Sequence, residues 1–156
     1  RVLNAPLVTG RMLVAAAIRP GQRVLLVGSA TGYTAGLLAL LGAEVHAVEE
    51  QSELMAAAQV TVANDNIRWT QGPLAAGAPD AAPFDRIIVE GAIETLPDAL
   101  VAQLADGGRL IAARREGAVT RLVEGVKAGG AVALRSFADM DVAPLPGFAE
   151  PAGFQF

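Results

Sequence analysis

The residues best suited to binding chemistry form one run, Gly28-Ser29-Ala30-Thr31-Gly32-Tyr33, joined by two acids further along, Glu49 and Glu90. Gly28 and Gly32 permit a tight turn and close approach of backbone to a ligand. Amides opening a helix at Tyr33 offer partial positive charge to a phosphate or carboxylate. Glu49 follows Gly28 by about 20 residues, where a carboxylate can accept hydrogen bonds from both hydroxyls of a ribose. A nucleoside is the implied ligand. A dinucleotide fingerprint needs a small residue at the sixth position of such a turn; here that position is Tyr33, which disfavours NAD and an oxidoreductase.

The remaining reactive side chains are few. His46 is the only histidine and lies between Val45 and Ala47, so it reads as a packed or edge residue rather than a catalyst. With no cysteine in the chain, thiolate chemistry, a disulfide framework and a metal-spaced His/Cys set are excluded. Glu90 ends an apolar run on the predicted ligand side. Asp85 begins that run at the opposite end and is expected to order the preceding turn. Arg114 and Arg115 read as a solvated pair in a loop, and Trp69 and Phe84 as core.

These residues need a scaffold, and the hydrophobic periodicity supplies one. Pro6 to Ile18 reads as a helix with proline at its first position, closed by Arg19-Pro20-Gly21. Arg23 to Gly28 is too short and too aliphatic for a helix and is expected as a strand buried on both faces. Tyr33 to Leu41 is then a helix, Glu44 to Glu49 a strand, Gln51 to Ala63 a helix and Ile67 to Gln71 a strand. A loop over Gly72 to Pro83 leads to a strand at Asp85 to Glu90, a helix at Leu96 to Leu104 and a strand at Arg109 to Ala113. Val119 to Val126 and Ala131 to Phe137 flank "KAGG" and read as an antiparallel hairpin. The tail "PLPGFAEPAGFQF" is expected to strap onto the domain. Strands alternating with helices imply a mainly parallel sheet covered on both faces, with the ligand at the carboxyl end of the first strand.

The bulk properties agree with one compact domain over residues 1–156. Hydrophobic residues make up 53% of the chain and charged residues 18%, against about 25% charged in an average globular domain. The net charge of −4 gives no positive field for a phosphate backbone, so nucleic acid is not an expected partner. No apolar run reaches the roughly 18 residues of a membrane span. The start, Arg1-Val2-Leu3-Asn4, has neither a signal-peptide pattern nor an initiating methionine, and reads as the trimmed start of a cytoplasmic protein.

Glycine at the fifth position, as in Gly28-x-Ala30-x-Gly32, resembles the turn of S-adenosylmethionine-dependent methyltransferases. The match extends through "APLVTGRMLVAAAIRPGQRVLLVGSATGYTAGLLALLGAEVHAVEE", "APFDRIIVEGAIETLPDALVAQLADGGRLIA" and "VAPLPGF", which together resemble the protein-L-isoaspartate O-methyltransferase family. The resemblance implies a Rossmann-like class I methyltransferase fold with a seven-stranded sheet and a C-terminal antiparallel hairpin. It also implies S-adenosyl-L-methionine as donor and methylation of isoaspartyl side carboxylates in damaged proteins or peptides. Donor contacts are implied at Gly28, Ser29, Ala30, Gly32, Tyr33, Glu49, Glu50, Gly72 and Glu90. Family members usually carry a further N-terminal segment that helps to shape the substrate site.

The chain departs from the family pattern at four positions. Leu26 stands where an acid is usual, Ala30 where glycine is usual, and Gly72-Pro73 where an aspartate usually meets the adenine region. Asn4, in "NAP", stands at the position of an acceptor-side serine. A carboxylate with a pKa of about 4 is already anionic at neutral pH, so its methylation requires alignment rather than a strong base. Two readings stay open: a methyltransferase, or a donor-binding or interaction domain without acceptor chemistry.

Overall fold

The computed structural model describes residues 3–151. Strands β1 (Arg23–Val27), β2 (Glu44–Glu49), β3 (Ile67–Gln71), β4 (Phe84–Ile93) and β5 (Leu104–Glu116) lie parallel in the order β3-β2-β1-β4-β5. β6 (Val119–Ala128) then runs antiparallel to β5. Two short segments, β7 (Ala131–Val132) and β8 (Arg135–Asp139), both pair antiparallel with the free edge of β6. The register passes from Lys127↔Val132 to Glu124↔Arg135 without a slip, so β7 and β8 act as one interrupted edge strand. The eight segments therefore fill the seven expected sheet positions.

Alternation along the strands divides the core. Val24 and Leu26 of β1, with Val45, Ala47, Ile88 and Ile111, pack beneath helices α1 (Pro6–Ala16) and α2 (Tyr33–Leu40). Leu25 and Val27, with Ile87, Val89 and Leu110, face Leu100 of α4 (Asp98–Gln103), Leu74 and the C-terminal segment. Helix α3 (Ser52–Thr61) lies over the start of α2, with Ala58 next to Gly32. The carbonyl end of α1 is held by two guanidinium groups. Arg86 Nε donates to Ala16 O at 2.6 Å and Arg109 Nη1 to Ala15 O at 2.7 Å, a favourable place for positive charge on the helix dipole.

Several boundaries differ from the sequence reading for identifiable reasons. α1 stops at Ala16 because Ala17 turns left-handed (φ 48°). Gly28, at φ 86°, falls outside β1. β4 runs on to Ile93, three residues past Glu90, and its pairing with β5 shifts register between Ile88 and Ala92, so Glu90 lies at an irregularity rather than at a strand end. β5 starts at Leu104 and extends to Glu116, absorbing Asp106-Gly107-Gly108 in a second register shift. Arg114 and Arg115 consequently stand in a strand rather than a loop. Arg114 bonds Glu116, and Arg115 donates to Gly117 O at 3.1 Å. The predicted loop Gly72 to Pro83 contains two 3-10 turns, Leu74–Ala76 and Pro79–Ala81.

Asp85 does not order its own preceding turn. Its carboxylate accepts the backbone N–H of Arg23 at 2.8 Å, and it is Arg23 that reaches the turn, donating to Pro83 O and Ala81 O. Phe84 is fully buried, whereas Trp69 is half-buried against α2 and α3. His46 is half-buried with its ring edge-on to Phe84. Val142, Leu145 and Phe148 of the tail are buried against the domain; Phe154 and Phe156 lie outside the described residues.

Candidate functional site

The turn after β1 folds back onto the end of β2. Gly28 and Ser29 donate their amides to Val48 O at 2.9 and 3.1 Å, and Gly32 N–H closes the turn on Ser29 O at 2.9 Å. Gly28 and Gly32 both have left-handed φ, 86° and 90°. Gly32 is required twice over, because an added Cβ would lie 3.0 Å from Ala58 Cβ and 3.2 Å from both Trp69 and Val62. Ala30, where glycine is usual, is left-handed as well, at φ 48°. That conformation costs an L-residue roughly 1–2 kcal/mol.

The strained residue makes the central contact of the site. Ala30 N–H donates to Glu49 Oε2 at 2.7 Å. Glu49 is fully buried, and its Oε1 accepts the amides of Glu50 at 3.1 Å and Gln51 at 3.3 Å. These bonds fix the orientation of the carboxylate. Gly72 N–H donates to Glu49 O at 3.1 Å, bringing the loop after β3 alongside, and the space around its Cα is open.

The sequence-predicted residues thus converge on the carboxyl ends of β1, β2 and β3 and on the irregularity of β4 at Glu90, but in two groups. Ala30, Glu49, Glu50 and Gly72 form the closed contact just described. Ser29, Tyr33, Glu90 and Asn4 instead line an open cavity of about 260 Å³ with Leu3, Pro6, Thr9 and Thr34. Thr34 Oγ1 donates to Glu90. Ser29 is 1% exposed yet its Oγ has no partner among the described residues, and half-buried Asn4 leaves its buried Nδ2 likewise unpartnered there. Thr9 and Thr34 escaped the sequence reading because a single threonine in an apolar helix carries no pattern. Leu145 escaped it too: its side chain packs against Gly28 and Gly91, where a Cβ would lie 3.0 and 2.8 Å away. His46 precedes Glu49 by three residues, about 10 Å back along the strand, and takes no part. Among the described residues there is no cluster of His, Cys, Asp or Glu able to hold a metal ion, and no helix long and apolar enough to cross a membrane.

A parallel sheet with an antiparallel end, a glycine turn after β1 and a buried acid closing β2 make this a Rossmann-like fold of the class I methyltransferase type. Two solved structures share it: a protein-L-isoaspartate O-methyltransferase (TM-score 0.84, 21% identity, covering 91% of this chain and 47% of that one), and a Plasmodium falciparum protein described as such an enzyme, in complex with S-adenosyl-L-homocysteine (TM-score 0.78, 23% identity, 92% and 75%). The family model for protein-L-isoaspartate(D-aspartate) O-methyltransferase matches residues 1–145, and the chain belongs to that family. Among its relatives, the protein-L-isoaspartate O-methyltransferases of Methylorubrum populi and Koribacter versatilis are 42% and 41% identical over 113 and 114 residues. These alignments cover 71% of this chain and 53% and 51% of the relatives. The chain spans about half the length of the curated relatives it matches.

Proposed function

We propose that residues 1–156 form one cytoplasmic domain of an S-adenosyl-L-methionine-dependent methyltransferase acting on isoaspartyl side carboxylates of damaged proteins. The observation that carries this reading is the Ala30–Glu49 contact: the turn and the β2 acid are locked together at 2.7 Å with alanine in the middle of the turn. Orphaned polar atoms at Ser29 and Asn4 beside that contact fit a polar ligand. When bound, the donor supplies an electrophilic methyl group, which passes to a carboxylate oxygen to give a methyl ester and S-adenosyl-L-homocysteine.

The chain's own part is to bind and align. Glu49 and Glu50 stand for the ribose, Gly72 for the base, and the turn Gly28, Ser29, Ala30, Gly32 and Tyr33 for the sulfur-bearing end. Glu90 and Asn4 stand at the open cavity, Asn4 on the acceptor side. No general base is needed, because the acceptor carboxylate is ionised at neutral pH. Transfer of a radiolabelled methyl group to an isoaspartyl peptide, with the aspartyl peptide as blank, tests the proposal. Turnover that equals that of a Glu49→Ala control rejects it in favour of a donor-binding or interaction domain.

A further inference from the structure

Asp106-Gly107 is the one place in the chain where an aspartate or asparagine precedes glycine. Glycine leaves the backbone nitrogen of residue 107 unshielded by a side chain, so that nitrogen can reach the side-chain carboxyl carbon of Asp106. The folded chain leaves this approach open. Phe84 pairs with Leu104 and Arg86 with Arg109, so residues 105–108 of β5 lie opposite Asp85 alone, in a large bulge. They have no register partner on β6 either, because its pairing with β5 begins at Arg109. Asp106 and Gly107 are both exposed, and the Asp106 carboxylate has neither hydrogen bond nor ion pair among the described residues. Gly107 is left-handed at φ 76°, and an added Cβ there would meet nothing within 4 Å, so a five-membered imide has room to form.

The fold holds other aspartates in place. The Asp85 carboxylate accepts Arg23 N–H at 2.8 Å, and Asp139 pairs with Arg121. The N–H of Asn66, which follows Asp65, is taken by Asn64 Oδ1 at 2.9 Å. Asp98 lies in the first turn of α4 and precedes Ala99, whose side chain flanks the nitrogen.

We infer that Asp106 is a modification site, at which the chain converts spontaneously to isoaspartate. The Gly107 nitrogen bonds to Asp106 Cγ, the Cγ–O bond breaks, and the oxygen leaves as water with the amide proton. A second water then opens the imide. Attack at the Cγ carbonyl restores aspartate, whereas attack at the backbone carbonyl leaves the main chain running through Cγ and the carboxylate on Cα. Water is the only co-reactant. The site lies at the amino end of β5, at the opposite end of the sheet from the candidate functional site, and the inference does not rest on the proposed function.

Incubation of the full-length protein at neutral pH without S-adenosyl-L-methionine, followed by tryptic mapping, tests it. The tryptic peptide over residues 87–109 carries both Asp98 and Asp106, so one aspartate is the control for the other. Endoproteinase Asp-N cuts before aspartate and not before isoaspartate. A form of equal mass is expected to accumulate that has lost the cut at Asp106 and kept the cut at Asp98, preceded by a form lighter by one water. Asp106→Glu, which would require a six-membered ring, is expected to abolish that form. Asp106→Asn, from which ammonia leaves in place of water, is expected to speed the appearance of isoaspartate. A synthetic peptide over residues 103–110 supplies the rate in the absence of a fold, and the folded protein is expected to match it closely. Conversion in the peptide but not in the folded protein would overturn the inference, as would equal conversion at Asp98 or an unchanged yield in Asp106→Glu.

Discussion

Replacing Gly32 by alanine should destabilise the protein, whereas replacing Ala30 by glycine should leave it within about 1 kcal/mol of wild type, although both residues are left-handed and buried. At Gly32 the backbone strain of about 1–2 kcal/mol is joined by a collision of the new methyl with Ala58, Trp69 and Val62 at 3.0–3.2 Å. Overpacking of that kind costs roughly 1–3 kcal/mol, and reduced entropy of the unfolded chain returns about 0.4–1. The net loss is about 1–4.6 kcal/mol, a fall in Tm of roughly 2–18 °C for a domain of this size. At Ala30 relief of strain is offset by lost methyl burial and by a more flexible unfolded state. Thermal denaturation followed by circular dichroism measures both. Ala58→Gly removes the nearest colliding atom, so the double variant Gly32→Ala/Ala58→Gly should be less destabilised than the sum of the single changes, by about 0.5 kcal/mol or more. A Tm drop below about 1 °C for Gly32→Ala, or strict additivity in the double variant, would refute the packing argument.

Three further outcomes follow from buried groups. Glu49→Gln sets an amide where Ala30, Glu50 and Gln51 all donate to a carboxylate; it should cost about 1.5–3 kcal/mol in urea denaturation and abolish calorimetric binding of S-adenosyl-L-homocysteine. Gln103, 4% exposed, accepts Ala78 N–H at 2.9 Å and donates to Ala76 O and Ala99 O. Gln103→Leu should therefore cost about 1–3 kcal/mol and speed amide exchange at Ala78. The pKa of His46 is lowered from its ordinary 6.5, first by burial and then by the charges of Arg23 and Arg68. The unfolded chain therefore binds the proton more readily, so stability should fall as pH drops through and below 6.5, and His46→Gln should flatten that slope in urea titrations.

The parts legible in the sequence were those that repeat. β3 ran as read because Asn64-Asp65-Asn66 and Gly72-Pro73 flank it, and β2 began as read because Gly42 ends the helix before it. β4 and β5 were longer than read, since Glu90-Gly91 and Asp106-Gly107-Gly108 look like strand ends while the folded sheet takes them up as register shifts. The β5–β6 hairpin through Gly117-Ala118 was hidden for the opposite reason: two charged arginines and a glutamate precede the turn, and their pairing across the ladder has no apolar signature. At the site, the glycines and Glu49 were visible by type and spacing. The left-handed backbone of Ala30 was not, because alanine adopts φ 48° only where its surroundings impose it.

The tail was legible as a strap but its attachment was not, and that attachment bears on the turn after β1. Backbone bonds fasten it to the outer end of β4, from Ala92 N–H to Ala143 O at 2.8 Å and from Leu145 N–H to Ala92 O at 2.9 Å. Such bonds depend on no side chain and leave no mark on the sequence beyond the prolines of "VAPLPGF". They set Leu145, 5% exposed, directly against Gly28 and Gly91. Gly28 therefore answers two demands at once, a φ of 86° that reverses the chain and a surface flat enough to admit Leu145. A glycine assigned from sequence to close approach of a ligand is, in the folded chain, also the seat of the C-terminal segment, so the geometry of the turn depends on residues more than a hundred positions away.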